Sequence, residues 1–251
     1  MAAYPQKPKQ ARTVQRGLGI RAAFSFSEGI AGSNIAATYD IASKVKATLG
    51  GSGFIAPSWT ASPYGPALTF GGSCGLLPAY TPAITGPWSA FFLVLVPGDC
   101  HLYGTPATTN AQISVATNVL QWTNNGGVVS NLSGALTLSS FSILGVTYDG
   151  ATLRGWQNAT NTGSASRVNQ NLASNQIIAY TTMSNLQMAG YYVADKCWDQ
   201  STIQRLVNDF WFPLRTDNTV ELAAVVAAAG HAFKPAWGVR ASEILAGGLA
   251  A

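Results

Sequence analysis

The sequence predicts an all-β fold: a two-sheet antiparallel sandwich with one short helix near its C-terminal end and extended arms at both termini. Three observations predict it. Residues 143–158 read as a strand, a turn and a second strand. Leu144, Val146 and Tyr148 alternate with small or polar neighbours, Asp149-Gly150 tolerates the tight turn, and Thr152, Leu153 and Trp156 resume the strand character. Residues 88–96 form the most hydrophobic stretch, short, aromatic and β-branched, bounded by Pro87 and Pro97-Gly98. Such a run fits a central strand buried on both faces better than a helix. Further short strand candidates recur between Asn, Thr and Gly turns at the spacing of a sandwich.

In chain order, residues 1–22 read as a basic arm. Lys7, Lys9, Arg12, Arg16 and Arg21 all precede the first acid, Glu28, and Pro5 and Pro8 favour extended backbone. An arm of this kind stays solvated or orders against a partner. Residues 23–27 alternate as the first strand. Residues 40–48 form a weak polar segment before a glycine-rich turn at 50–53. Residues 59–72 hold a loop and then a short strand with Leu68 and Phe70 on one face, closed by Gly71-Gly72. Strands are expected at 111–115, 119–122, 127–132, 165–168 and 187–193. In the last, Leu186, Met188, Gly190 and Tyr192 are assigned to a single face.

The period then changes. Ile203, Leu206, Val207 and Phe210 recur at helical spacing behind Asp199, whose carboxylate suits an N-cap, and Pro213 is expected to close the helix. From residue 214 the chain reads as an Ala/Gly-rich tail. Asn218 and Glu221 can cap a short helix ending at Gly230, and Phe233 and Trp237 stand out as apolar docking points. The expected division is an arm over 1–22, one sandwich domain over 23–213 and a tail over 214–251.

Charged residues make up only 10% of the chain and hydrophobic ones 47%, with a net charge of +4. Water-exposed monomers usually carry about 25% charged residues. Either other chains cover much of the surface, or the surface is the neutral Ser/Thr/Asn coat of an extracellular β protein. Cys74, Cys100 and Cys197 are odd in number and lack a Cys-x-x-Cys spacing, which fits buried free thiols in a reducing compartment. The first residues have no apolar core for a secretory signal, and the longest apolar run, 222–229, is too short to span a bilayer. No membrane partner is expected, and the glycosylation sequons at Asn131 and Asn158 are read as accidental.

Catalytic chemistry finds little support. A glycosidase needs two carboxylates about 5–10 Å apart, but the acids are sparse: Asp149 is explained by its turn and Asp199 by its cap. His101 and His231 lie far apart in sequence. Asp99-Cys100-His101 offers a thiol beside an imidazole, yet neighbouring strand residues point to opposite faces. There are too few ligands for zinc and no phosphate-binding loop, so no cofactor or metal is expected. Among the aromatics, Tyr64, Trp122 and Trp156 are candidates for stacking on sugar rings, with core packing the alternative role.

The ordered set of Phe24, Trp59, Gly65, Ala67, Leu68, Phe70 and Gly72, the strand over 88–96, the hairpin at 146–153, Asn158, and the capped helix over 199–206 resembles the laminin G-like, concanavalin A-like jelly roll. The likeness is to the copies of that fold in bacteriophage and bacterial proteins, and it covers residues 23–213. It implies a non-enzymatic virion structural protein, a capsid decoration or cement protein. Its arm and tail (Lys7, Lys9, Arg12, Arg16, Arg21, Phe233, Trp237) would bind the major capsid protein or other virion proteins. A homo-oligomer assembled into virions in the host cytoplasm is expected, with no nucleic-acid role. The alternative implied is a lectin-like tail or fibre protein that recognises host glycans. The Glu-x-Asp-x-x-Glu strand of catalytic members is missing, since the only glutamates are Glu28, Glu221 and Glu243. No residue matches the family's calcium ligands.

Overall fold

Residues Trp88–Leu95, the apolar run, lie in the interior of the largest sheet with an antiparallel neighbour on each side. The structure is a computed structural model and describes residues 14–15, 17–26, 37–50, 55–72, 74–78, 83–104, 111–124, 126–138, 140–172, 177–178 and 185–215. In chain order the strands are β1 (Ile20–Phe24), β2 (Ala37–Tyr39), β3 (Lys46–Leu49), β4 (Ser58–Ser62), β5 (Gly65–Phe70), β6 (Gly75–Pro78), β7 (Trp88–Leu95) and β8 (Cys100–Tyr103). They continue with β9 (Gln112–Ala116), β10 (Val119–Thr123), β11 (Val129–Asn131), β12 (Ser142–Tyr148), β13 (Thr152–Gln157), β14 (Thr160–Ser166), β15 (Ile177–Ile178) and β16 (Leu186–Ala194). Helix α1 (Gln200–Asn208) and a 3-10 turn (Phe212–Leu214) follow. The chain divides between Arg215 and Thr216, and the expected tail, including Phe233 and Trp237, lies outside the described residues.

The fold is an all-β sandwich. One eight-stranded sheet runs β14-β13-β12-β7-β16-β5-β4, with β1 as its eighth strand beside β16. Strand β16 pairs with β7 along its length, and its other edge is shared: Leu186–Met188 pair with β5, and Tyr191–Ala194 pair with β1. Two four-stranded sheets, β11-β10-β9-β8 and β15-β6-β3-β2, form the second layer. Both pack on the same face of the large sheet. Ala47, Leu49 and Leu76 from one, and Ile113, Val115, Leu120 and Trp122 from the other, share a core with Phe92, Val94, Leu144, Val146 and Tyr191. The opposite face of the large sheet is covered too. Phe91, Leu93, Ala189 and Tyr192 lie beneath Ile203, Leu206, Trp211 and Leu214. A sheet covered on both faces needs apolar residues at every position of its inner strands, which is why β7 does not alternate.

The central hairpin forms as expected, with Tyr148 opposite Leu153, but the turn works differently. Only Gly150 takes a left-handed backbone, at φ +105. Asp149 closes the turn with its side chain: Oδ1 accepts from the Ala151 and Thr152 amides at 2.9 and 2.8 Å, and Oδ2 accepts from Arg154 at 2.6 Å. In β16 the expected face is corrected. A bulge between Met188 and Gly190 shifts the register, so Leu186 and Met188 share the inner core with Tyr191 and Val193, while Tyr192 turns to the helix side. A bulge places two residues opposite one and inverts the alternation beyond it. Gly190 is needed there, because a Cβ would lie 2.9 Å from the Trp211 ring and 2.6 Å from the Phe24 carbonyl oxygen.

Asp199 caps α1, accepting from the Thr202 amide at 2.8 Å. The helix ends at Asn208 and not at Pro213, which sits inside the following 3-10 turn where its missing N–H costs nothing. The strand expected over 165–168 forms earlier, as β14, and β2, β3, β4, β6 and β15 are strands where the sequence pattern predicts none. Segment 40–48 contains a buried organising residue: Asp40 accepts from the amides of Ala23 and Ala42 at 2.9 Å each and from the Ser43 hydroxyl at 2.7 Å. Between β11 and β12 the chain crosses β13 and β14 at close range. The Leu132 carbonyl oxygen would lie 2.1 Å from a Cβ on Gly155 and 3.0 Å from one on Gly163. Among the described residues no helix is long and apolar enough to cross a membrane.

Candidate functional site

The inner strands of the large sheet are buried on both faces, and so are the inner faces of the two small sheets; among the described residues, open strand surface lies on the outer faces of the small sheets and on the edge strands β14 and β4. On β9–β11 the alternation is clean, while in β8 a bulge between His101 and Tyr103 turns both Leu102 and Tyr103 into the core. Cys100, Ile113, Val115, Leu120 and Trp122 point into the core, and the residues between them point out. The register then aligns a row across all four strands: His101 opposite Ser114, Ser114 opposite Gln121, and Gln121 opposite Asn131. A second row places Gln112 opposite Thr123. Asn131 is exposed, His101, Gln112 and Gln121 are half-buried, and Ser114 and Thr123 are packed down between them. Gln121 Nε2 donates to Asn131 Oδ1 at 3.0 Å, which fixes both amides at the exposed end of the row.

This face carries no formal charge. No Asp, Glu, Lys or Arg occurs between Asp99 and Asp149, a span that contains all of β8–β11 and their connections. Asp99 stands at the rim, where Oδ1 accepts from the Thr117 amide at 2.6 Å. Arg167 reaches the sheet only from behind, donating to Ser130 Oγ at 2.9 Å, and Ser130 is buried between the outward Val129 and Asn131. Burial pulls the pKa of His101 down, and its hydrogen bond with Gln112 only partly opposes this. The imidazole is therefore a neutral donor and acceptor at physiological pH.

The second open face, on β2 and β3, presents Tyr39 with Lys46 directly opposite and Thr48 beside it. Tyr39 is 53% exposed and is the most open described aromatic ring. Tyr39 carries no sequence signal, because a three-residue strand is too short to show periodicity.

Two of the three expected stacking residues are corrected. Trp122 is fully buried in the inner core, 4.9 Å from the Trp88 ring, with Nε1 donating to Gln170 Oε1 at 2.7 Å. Trp156 is buried on the helix side, with Nε1 donating to Thr147 Oγ1 at 2.9 Å. Both lie on inward positions of their strands, so neither offers a ring face to a ligand. Tyr64 is half-buried at the β4–β5 turn and leans on Phe141, with ring centroids 5.6 Å apart. Arg21 belongs to β1 and not to an arm; its Nε donates to Asp195 Oδ2 at 2.6 Å. Lys7, Lys9, Arg12 and Arg16 lie outside the described residues. The inner end of the expected arm is held by the sandwich itself. The Gln15 amide donates to the Pro213 carbonyl at 2.7 Å, and Gln15 Nε2 donates to the carbonyls of Phe212 and Arg215 at 2.8 and 3.1 Å.

Cys100 and His101 point to opposite faces. The buried thiol is pushed up to about 12 by desolvation, so no thiolate faces the imidazole. Cys74 is buried and Cys197 half-buried, both as free thiols. Among the described residues no cluster of three His, Cys, Asp or Glu side chains could hold a metal ion.

No family model matches this chain, and no curated protein matches it either. Solved structures do. The binding domain of botulinum neurotoxin DC in complex with SialylT is 12% identical, with a TM-score of 0.59 over 79% of this chain and 52% of that one. The binding domain of Paraclostridial mosquitocidal protein 1 is 11% identical, with a TM-score of 0.57 over 76% of this chain and 52% of that one. This chain thus spans about half the length of either. Domain 4 of AbnA, a GH43 extracellular arabinanase from Geobacillus stearothermophilus, in complex with arabinotriose, is 12% identical with a TM-score of 0.55. There the match covers 75% of this chain and 98% of that one. The likeness is one of fold, a jelly-roll β-sandwich, and none of the three is named as a virion protein.

Proposed function

We propose that this chain is a non-catalytic carbohydrate-binding module that holds a glycan against the outer face of β8–β11. The observation that carries the reading is the cross-strand row His101–Ser114–Gln121–Asn131. Sugar hydroxyls both donate and accept, and amides, hydroxyls and a neutral imidazole match them in both senses. Strands hold such groups at fixed spacing, so little ordering entropy is lost on binding. The fold is shared with a neurotoxin binding domain in complex with SialylT and an arabinanase domain in complex with arabinotriose, which favours the same reading. Hydrolysis would need paired carboxylates across the scissile bond, and β8–β11 contain none.

Glycan-array binding by the intact chain tests the reading. Binding should fall with Gln121→Ala and Asn131→Ala while the thermal transition stays put. A folded protein that binds no glycan would overturn it.

A second reading, a virion decoration protein, has one structural observation in its favour. Val14 and Leu18 pack on the helix side, and Gln15 is bonded to Phe212, Pro213 and Arg215. Gln15 and Arg215 therefore lie together, on the layer opposite the β8–β11 face. A capsid surface docked on that layer would leave the β8–β11 face open. Retained particle association after deletion of residues 1–13 would remove this reading.

A further inference from the structure

We infer that the ligand of the β8–β11 face is an uncharged glycan, built from neutral hexose, pentose or N-acetylated sugars without carboxylate or sulfate groups. This rests on the carbohydrate-binding reading and narrows it to a substrate class. The argument is one of charge. An acidic sugar carries a carboxylate that is ionised at neutral pH, and docking it against a sheet strips water from it. That loss is recovered only by a cation or by several convergent N–H donors.

Among the described residues the face offers no cation. Nothing between Asp99 and Asp149 carries a positive charge, so no loop of this sheet supplies one either. Arg167 is engaged with Ser130 behind β11. Arg154 is paired with Asp149 at the far turn of the large sheet. Lys46 lies on the other small sheet, opposite Tyr39. At the rim stands Asp99, whose negative charge repels an anion. The row itself has already used part of its donor capacity, because Gln121 donates to Asn131. For a neutral sugar this is an advantage: the internal bond leaves Asn131 Nδ2 free to donate, while hydroxyls supply the matching acceptors.

The test is isothermal titration of the full chain with matched pairs of oligosaccharides, such as N-acetyllactosamine against its sialylated form and arabinotriose against tri-galacturonic acid. The neutral member of a pair should bind at least about tenfold more tightly, and its affinity should change less than about twofold between 50 and 500 mM NaCl, since no ion pair is screened. Gln121→Lys should reverse the order by supplying the missing cation, and that gain should vanish at high salt. Acidic partners bound as tightly as neutral ones by the unaltered protein would overturn the inference while leaving carbohydrate binding intact. Failure of every neutral and acidic sugar to bind a folded protein would overturn the carbohydrate-binding reading itself, and this inference with it.

Discussion

Gly145 and Phe91 lie directly opposite each other in the β12–β7 register, and the Phe91 ring occupies the space where a side chain at 145 would sit. A Cβ there would approach the ring to 2.2 Å. Phe91 in turn stacks on Trp198 at 5.5 Å with the rings 12° apart. Gly145→Ala should therefore destabilise the fold by about 1–3 kcal/mol through overpacking. Calorimetry should record a lower transition, and near-ultraviolet circular dichroism should change as Trp198 loses its stacking partner. An unaltered melting temperature would refute the packing argument.

The tryptophans and the outward amides should separate stability from binding. Trp122→Ala empties a fully buried site and breaks the bond to Gln170, so it should cost about 3–5 kcal/mol. Gln121→Ala removes a half-buried outward amide and should shift stability by less than about 0.5 kcal/mol while lowering glycan affinity. Chemical denaturation and titration, run on both variants, check the pair. Equal loss of stability in the two would mean that the β8–β11 face is structural.

His101 sets a pH dependence of stability. Burial lowers its folded pKa below the ordinary value. Between the folded pKa and the unfolded value of about 6.5, the unfolded chain binds the extra proton. Stability is then full above about pH 6.5 and declines as pH falls below it. Asp40 acts in the opposite sense at lower pH, because desolvation raises its pKa and its folded form takes up a proton first. His101→Gln should flatten the decline just below pH 6.5 in urea denaturation series. A decline that persists in the variant would move its origin elsewhere.

Asp199 should add a second, more acidic step. Hydrogen bonds from Thr202 and then Ser201 hold its pKa below the ordinary carboxylate value. Its contribution is present above the unfolded pKa and disappears as pH falls through the folded one. Asp199→Ala should cost about 1 kcal/mol at neutral pH, the usual worth of an N-cap. The cost should shrink toward zero at low pH, where the carboxylate of the unaltered protein is also neutral.

Local signals were legible in the sequence and long-range ones were not. Leu144, Val146 and Tyr148 share a core face as their spacing predicts, and Asp199 caps the helix its sequence announces. The β16 bulge is invisible in Leu-Gln-Met-Ala-Gly-Tyr-Tyr, because two small residues can occupy one face or alternate, and only Trp211 and Phe24 decide which. Trp122 and Trp156 went astray for a related reason: an aromatic residue does not declare its direction until its strand has neighbours. The row across β8–β11 is farthest from view. His101, Ser114, Gln121 and Asn131 are unremarkable one by one, and only strand register brings them into line.

The crossing of Leu132 over Gly155 and Gly163 has a consequence for that row. Asn131, its exposed end, is the residue just before the crossing, so that end of the row follows a backbone resting on bare glycine. A methyl group at position 155 would act as a shim under one corner. Gly155→Ala should then change which sugars are preferred without touching any of them, and specificity in this sandwich would be adjustable from the side that the ligand never sees.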